Sequence, residues 1–518
     1  MTIVSGACFI LLFAWAVARF ILKRKQEDIR HAPGPCSESA SWIWGHELEA
    51  FRGQALEYYS KWMFQFGPLF KIKAALFHSD IIVLGDHAAV QHIFADTTNY
   101  VKAPSFRPIV ANLVGKGMIW AEGEEHTQQR RLLSHVFAPE RLKDMGDDIL
   151  ECAEKFQNTL TSLALSHGGT VTTNIVPFTS ACTLDIIGRV GFGHDLKFGQ
   201  SAEAQELATS WKRTVNEGMT FGAFLAPAII RVVPFITSLP FKAIQTQGDI
   251  SRVIGKLARK IYKEGADNGK QKNILSILMK SQSKSGYGLT ESQIIDNIIT
   301  FTFAGHETTS GTLAFTLLEL ARRPEVQKKL RDEVIEHGGT LSYDTVPKLA
   351  YLDAVVKESL RVHSAIPRTE RVAMKDDVLP LRTPITMRDG KILTSFRVRK
   401  GQVIHIPFTS MQTNPSVWGA DAAEFKPERW ITPGGVPPTN ELPHGWSNLV
   451  AFCDGPRNCI GYRLALFEFK VILATLVRAL EFRPTDAVVT TKLSLTWQAI
   501  VDGEAGIIPL QISIASYS

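Results

Sequence analysis

The chain has little of what marks several large protein classes. Six cysteines in 518 residues are too few for a disulfide framework and argue for a reducing compartment. No CxxC pair or suitably spaced histidine accompanies them, so a structural zinc site has weak support. Lys+Arg 57 against Asp+Glu 51 leaves +6, too dilute over this length to mark a nucleic-acid binder. There is no internal repeat or low-complexity tract, and 45% hydrophobic with 21% charged residues are ordinary globular values. Long apolar runs are scarce after residue 25. The nearest, Phe221 to Phe241, is broken by three prolines and Arg231. It reads either as a buried helix–loop pair or as a segment dipping into a membrane interface.

What is present begins at the N-terminus. Ile3 to Ala18 carries no charge, and Phe20, Ile21 and Leu22 extend the run beyond Arg19. About 20 helical residues match the roughly 30 Å hydrocarbon core. The positive charges follow the run, at Arg19, Lys23, Arg24 and Lys25, the reverse of a cleaved signal peptide. Residues 1–25 are therefore expected to form a single uncleaved transmembrane anchor with the rest on the cytosolic side. Pro33-Gly34-Pro35 makes residues 26–44 a stiff hinge. The length prior of about three domains gives way to one large body over 45–518, mainly α with a minor β part.

Within that body, residues 45–110 suggest a small sheet with helices, and helical signals dominate from 120 to 375. Thr290 and Gln293 form a capping box before an apolar stretch that Pro324 stops, predicting a buried helix of roughly 30 residues, about 45 Å long. Residues 378–408 return to short β-like pieces, Pro433 to His444 is a loop, and a final helix begins near Gly461.

Three motifs carry chemistry. Ala304-Gly305-His306-Glu307-Thr308-Thr309 puts a glycine, an acid and two threonines inside the buried helix, against local preference. A charged Glu307 there needs a partner or a raised pKa; a kink with back-bonded threonines is the bland alternative. Glu358 and Arg361 share a helix face at i, i+3, usually a solvated pair, but YLDAVVKESLRV is apolar enough to bury it. A buried Arg361 would need a second acceptor. The third motif, Phe452-Cys453-Asp454-Gly455-Pro456-Arg457-Asn458-Cys459-Ile460-Gly461, precedes a helix whose Leu466, Phe469, Leu473, Leu476 and Leu480 predict one buried face. Cys459 at the helix start, beside Arg457, favours thiolate. Gly455-Pro456 makes a tight turn, and Gly461 leaves room for something flat. One thiolate ligand with a glycine-opened face fits haem better than zinc.

At this point the sequence resembles the cytochrome P-450 family over essentially its whole length. FCDGPRNCIG matches the cysteine-ligand signature at every fixed position, AGHETT the oxygen-activation motif, ESLR the Glu-x-x-Arg motif, and Phe425-Lys426-Pro427-Glu428-Arg429-Trp430 the segment with its second arginine. All four occur in family order. Asn414 to Trp430 and Arg371 to Leu379 are similar to fungal microsomal members.

The resemblance implies the cytochrome P-450 fold, haem b as cofactor, and Cys459 as the metal ligand. It assigns Thr308 and Glu307 to proton delivery, with His306 beside them. Arg130, Arg371 and Arg457 match propionate positions, with His126 where tryptophan is usual, while Phe452 and Gly461 complete the cofactor contacts. Glu358, Arg361 and Arg429 resemble a triad that holds the cysteine loop. Ser364 replaces a common proline after the Glu-x-x-Arg helix. By family position, the pocket should be lined by Pro104 to Met118, parts of Ser210 to Phe241, Phe301 to Ala304, Ser364 to Thr369 and the region around Trp497 to Ile500.

The implied activity is insertion of one oxygen atom of O2 into a lipophilic substrate: a terpenoid, steroid, fatty acid or aromatic polycycle. Electrons would come from NADPH through a cytochrome reductase, with cytochrome b5 as a second candidate donor. The expected setting is the endoplasmic reticulum membrane, in fungal secondary or xenobiotic metabolism. Two alternatives stand beside it. A haem-thiolate isomerase or dehydratase would use no O2, but such members often lose the central threonine. A haem sensor would need an output module, and no stretch of chain suggests one.

Overall fold

The computed structural model describes residues 27–238, 248–267, 273–285 and 288–516. The expected anchor over 1–25 lies outside them, and among the described residues no helix is long and apolar enough to cross a membrane. The body is mainly helical with a smaller β part, as the patterning predicts.

Distant parts of the chain build the main sheet. Its strands are β1 (Leu69–Ile72), β2 (Ile81–Leu84), β3 (Tyr100–Val101), β4 (Thr369–Ala373) and β5 (Val403–Ile406), in the order β1-β2-β5-β4-β3. β2 and β5 pair in parallel and are buried at every residue, which explains their unbroken apolar reading. The proline-rich segment is laid on this sheet: Lys71 N donates to Pro33 O at 2.9 Å, and Arg388 Nη2 to Gly34 O at 2.8 Å.

The helices that position the site are α1 (His87–Ala95), α2 (Gly123–Ser134), α3 (Val176–Ile186), α4 (Ala202–Gly218), α5 (Glu291–Arg322), α6 (Ala350–Val362) and α7 (Tyr462–Ala479). α5 is the expected long helix. It has 32 residues and starts at Thr290 with the predicted capping box closed in both directions. Gly305 serves close packing: a Cβ there would lie 3.1 Å from Ile187, in the π-helical turn that ends α3. α7 differs from expectation. Every residue from Phe467 to Val477 is buried, because helices Gly146–Ser166 and Pro324–His337 pack on it together with α5 and α6. The chain then continues into strands that the pattern does not announce, including the hairpin β6 (Thr490–Leu493) and β7 (Trp497–Val501).

Glu358 and Arg361 of α6 are fully buried. Arg361 Nε and Nη2 each donate to Glu358 at 2.8 Å, and the guanidinium finds its further acceptors in the carbonyls of Gln412, Ala422 and Glu424. Arg429 Nε donates to Glu358 at 3.0 Å, as does Trp430 Nε1 at 2.9 Å. Gln412 carries the order onward, its side-chain oxygen accepting from Val450 N at 2.9 Å, just before the cysteine loop.

Glu358→Gln would leave two buried guanidinium groups short of countercharge and should cost about 3–5 kcal/mol. Trp430→Phe removes one bond to a charged acceptor and should cost about 1–3 kcal/mol. Urea midpoints at unchanged m-value measure both. A second buried acid gives a pH test. Glu468 of α7 meets the Thr309 hydroxyl, and burial pushes its carboxyl from 4.5 up to about 8. Between those values the folded chain holds a proton that the unfolded chain has released, so stability falls as pH rises. Glu468→Gln should flatten the fall of Tm between about pH 5 and 8.

Candidate functional site

The cysteine loop is built by local bonds and closed onto its surroundings by three side chains. Cys459 N donates to Phe452 O at 2.8 Å and Asn458 N to Gly455 O at 3.0 Å. Gly455 has φ +61°, and a Cβ there would lie 2.4 Å from Phe94 O at the end of α1, so the turn requires glycine. Asp454 accepts from Gly455 N at 2.7 Å and pairs with His444 Nδ1 at 3.1 Å. His444 Nε2 lies 2.8 Å from His87 Nδ1 on α1. Phe452 stands edge-on to Trp446 with centroids 5.0 Å apart.

Cys459 has exposed surface. Even so, desolvation pushes its thiol up to about 11. Both hold if the space it opens into is internal, walled by protein. The Gly461 N–H donates toward the sulfur, which works in the opposite direction and suits a thiolate once a metal compensates it. The expected help from Arg457 is corrected. Its guanidinium turns away, donating to Ala121 O at 2.8 Å and pairing with Glu122. Arg130 is the cation that acts on Cys459. It also donates to Asn458 O at 2.7 Å and to the Asn458 side chain, so it holds the loop as well.

The structure brings Arg130, Arg371, Arg457 and His126 together. Burial lowers the pKa of all three arginines. It pushes His126 down to about 3, with Arg457, Lys102 and Arg130 adding to the effect. Lys102 is a further member that the sequence does not single out; burial pushes it down to about 8, with Arg457 and Arg371 beside it. One carboxylate, Glu122, serves both Lys102 and Arg457. Arg371 donates to Thr369 Oγ1 at 2.6 Å and Glu370 O at 2.8 Å, and lies over the Phe94 ring. These partly to fully buried cations outnumber the carboxylates that face them, with Glu122 shared by two and Arg130 paired with none among the described residues, and anions joining them would be stabilising. A flat group carrying two carboxylates, ligated at Cys459, supplies that charge, so the residues present fit a haem.

On α5, Ala304, Thr308 and Gly311 keep accessible surface at helical spacings of 4 and 3, and nothing lies within 4 Å of a Cβ built on Gly311. This stripe borders open space. Thr308 Oγ1 donates to Ala304 O at 2.6 Å. The neighbouring motif residues point elsewhere. His306 turns to Ser180 Oγ of α3 at 2.6 Å, and burial pushes it down to about 4. Phe301 packs edge-on to Phe137, and Phe303 to Trp211 of α4. Glu307 is buried and accepts from Thr496 Oγ1 at 2.9 Å and Gln498 Nε2 at 3.0 Å. Burial outweighs these two donors and pushes its carboxyl up to about 7. The loop after α6 runs its course without the common proline: Ser364 is fully buried, and Thr312 Oγ1 and Trp497 N bond the carbonyls of His363 and Ala365.

The sequence reading missed Lys102, Glu122, Gln412, Glu468 and Thr496, and it placed Gln498 only within a pocket-lining segment, not as a partner of Glu307. Lys102 stands just before Ala103-Pro104 as a lone cation in an apolar stretch, a faint signal in itself. Thr496 and Gln498 come from the C-terminal hairpin, nearly 200 residues from the acid they hold, and no local pattern marks them.

Similarity to known proteins agrees with this geometry. The family profile described as Cytochrome P450 matches residues 35–502. Cytochrome P450 monooxygenase 205 of Postia placenta is 31% identical over 497 residues, covering 92% of this chain and 90% of its own. Cytochrome P450 monooxygenase claQ of Ampulloclitocybe clavipes is 30% identical over 490 residues, with the same shares. Cytochrome P450 monooxygenase 128 of Postia placenta is 28% identical over 524 residues, covering 96% and 95%. Members of the family carry haem b and use O2 with NADPH-derived electrons delivered by a reductase. With the cysteine loop, the gathered cations and the threonine stripe in one body, the chain belongs to the cytochrome P450 family.

Proposed function

We propose that the protein is a membrane-anchored monooxygenase that inserts one oxygen atom of O2 into a lipophilic substrate, drawing electrons from an NADPH–cytochrome reductase. The observation that carries it is Cys459, exposed at its surface yet desolvated, with Arg130 acting on it and Arg371, Arg457 and Lys102 gathered beside Arg130 with fewer carboxylates than cations. Bound there, haem supplies the activation of O2, with the thiolate donating electron density. The chain's own share is specific. Arg130, Arg371, Arg457 and Lys102 hold the carboxylates of the group, with His126 beside them. Phe452 and the Gly461 N–H shape and support the ligand loop. Thr308 presents a hydroxyl to the cavity, and Glu307, poised near neutrality, can hold and release a proton. The retained Thr308 favours oxygen chemistry over an isomerase or dehydratase.

Exposed aromatic side chains support a lipophilic substrate class. Trp42 is 81% exposed and Phe235 68%, and Phe77 and Phe221 join them. Rings of this set are in edge contact, Trp42 with Phe77 and Trp44 with Phe221, each at 5.2 Å between centroids. An aromatic face of this kind suits the headgroup region of a bilayer. It supports an anchored body on the cytosolic side of the endoplasmic reticulum membrane, with terpenoids, steroids, fatty acids or aromatic polycycles reaching it from lipid. Cytochrome b5 is a candidate second donor.

In a reduced-plus-carbon-monoxide difference spectrum, the full chain in membranes should show the strongly red-shifted thiolate Soret band, and Cys459→Ala should lose it. With reductase and NADPH, wild-type membranes should then oxidise members of a lipophilic panel. Haem-loaded, folded protein without that band would remove the thiolate ligand and the monooxygenase with it.

A further inference from the structure

The acid in the central helix is held by the wrong end of the chain for a purely local motif. Glu307 Oε1 accepts from both Thr496 Oγ1 and Gln498 Nε2, and Gln498 Nε2 also donates to Thr496 Oγ1 at 2.7 Å. All three side chains are buried. Among the described residues, no charged group acts on Glu307 from the elements around it. His306, its neighbour on α5, faces Ser180 of α3. Glu468 of α7 is engaged with Thr309. His363, after α6, is taken by Glu319 at 3.0 Å. Neutral donors thus stand where a cation would pin the carboxyl as a permanent anion.

The turn that carries these donors is itself fixed. Ser494 Oγ donates to Val215 O of α4 at 3.1 Å, Ser494 N donates to Thr496 O at 3.1 Å, and Trp497 N reaches Ala365 O. α4 in turn lies across α5, with Trp211 against Phe303 and His306. The hairpin therefore places Thr496 and Gln498 from a scaffold tied to the walls of the cavity.

We propose that Thr496 and Gln498 are positioning residues for Glu307: the hairpin turn β6–β7 sets where its carboxyl sits and how readily it exchanges its proton. This deepens the monooxygenase reading and rests on it for the use to which the proton is put. Two neutral donors favour the charged form enough to counter part of the desolvation, and leave the group able to cycle near neutral pH. A salt bridge would hold the proton off, and no donor at all would lock it on.

The test is an infrared titration of the ferric holoenzyme, following the protonated-carboxyl stretch that Glu307→Gln abolishes. Wild type should titrate with a midpoint near 7. Thr496→Val with Gln498→Leu should move the midpoint up by about one pH unit. Thr496→Ser, which keeps the hydroxyl, should leave it in place. With reductase, the pH profile of NADPH consumption should shift in the same direction for the double variant. The carbon-monoxide band of each variant reports intact folding and ligation. An unchanged midpoint in a double variant that keeps this band, or an equal rise in Thr496→Ser, overturns the proposal. Loss of the band in wild type sinks the monooxygenase reading instead, and leaves the carboxyl titration standing.

Discussion

A carboxylate with no route to water organises much of this molecule. Glu358 accepts from five donors: Arg361 twice, Arg429, Trp430 and the Lys426 backbone. Desolvating such a group is costly, and the cost is recovered only if every lone pair is met. Meeting them draws residues 412 to 430 around α6, because Arg361 must spend its remaining donors on the carbonyls of Gln412, Ala422 and Glu424. That segment has little regular structure of its own. Its order comes from the ion cluster rather than from a backbone ladder, and Gln412 hands it to the cysteine loop at Val450.

The cofactor region has the opposite electrostatics. Around Glu358 the charges close on themselves. Around Arg130, Arg371, Arg457 and Lys102 they do not: Glu122 pairs with Lys102 and Arg457, Glu122 and Glu370 lie near Arg371, and among the described residues no carboxylate pairs with Arg130. Glu358, Arg361 and Arg429 are buried, as is Arg371, while Arg130, Arg457 and Lys102 are partly so. Charge balance separates the two clusters further. A closed cluster is a staple, and an unbalanced one is a receptor for charge that must arrive from outside the polypeptide. At Cys459 burial raises the thiol while Arg130 and the Gly461 N–H work in the opposite direction, so desolvation prevails there over the neighbouring positive charge.

Legibility followed distance along the chain. The capping box at Thr290, the length of α5, the cysteine loop and the Glu358–Arg361 pair are written in short stretches, where spacing and residue type decide the outcome. Of the strands missed after α7, Pro509–Ile514 pairs with the distant Thr170–Asn174, which no local period reports, whereas the hairpin β6–β7 is local but its short strands carry no alternation of buried and exposed residues. The buried face of α7 was underestimated for a related reason. Periodicity shows which side must be covered, whereas the packing of four helices on it covers the rest, Glu468 and Lys470 included. Arg457 was assigned to Cys459 by adjacency, yet a three-residue 3-10 turn, Gly455–Arg457, swings its side chain to Glu122.

α5 shows how one helix can serve several masters with consecutive residues. At 100° per residue, His306, Glu307 and Thr308 project in three directions: to α3, to the C-terminal hairpin and to the cavity. The motif reads as one chemical unit in sequence but is three separate contacts in space. Its two near-neutral acids, Glu307 and the Glu468 that faces Thr309, are both held by hydroxyl or amide groups and by no cation. Where Glu358 is paired with two arginines, these acids have neutral partners, and that choice keeps both protons movable. A fixed charge suits a fold; a proton that must move requires neutral partners.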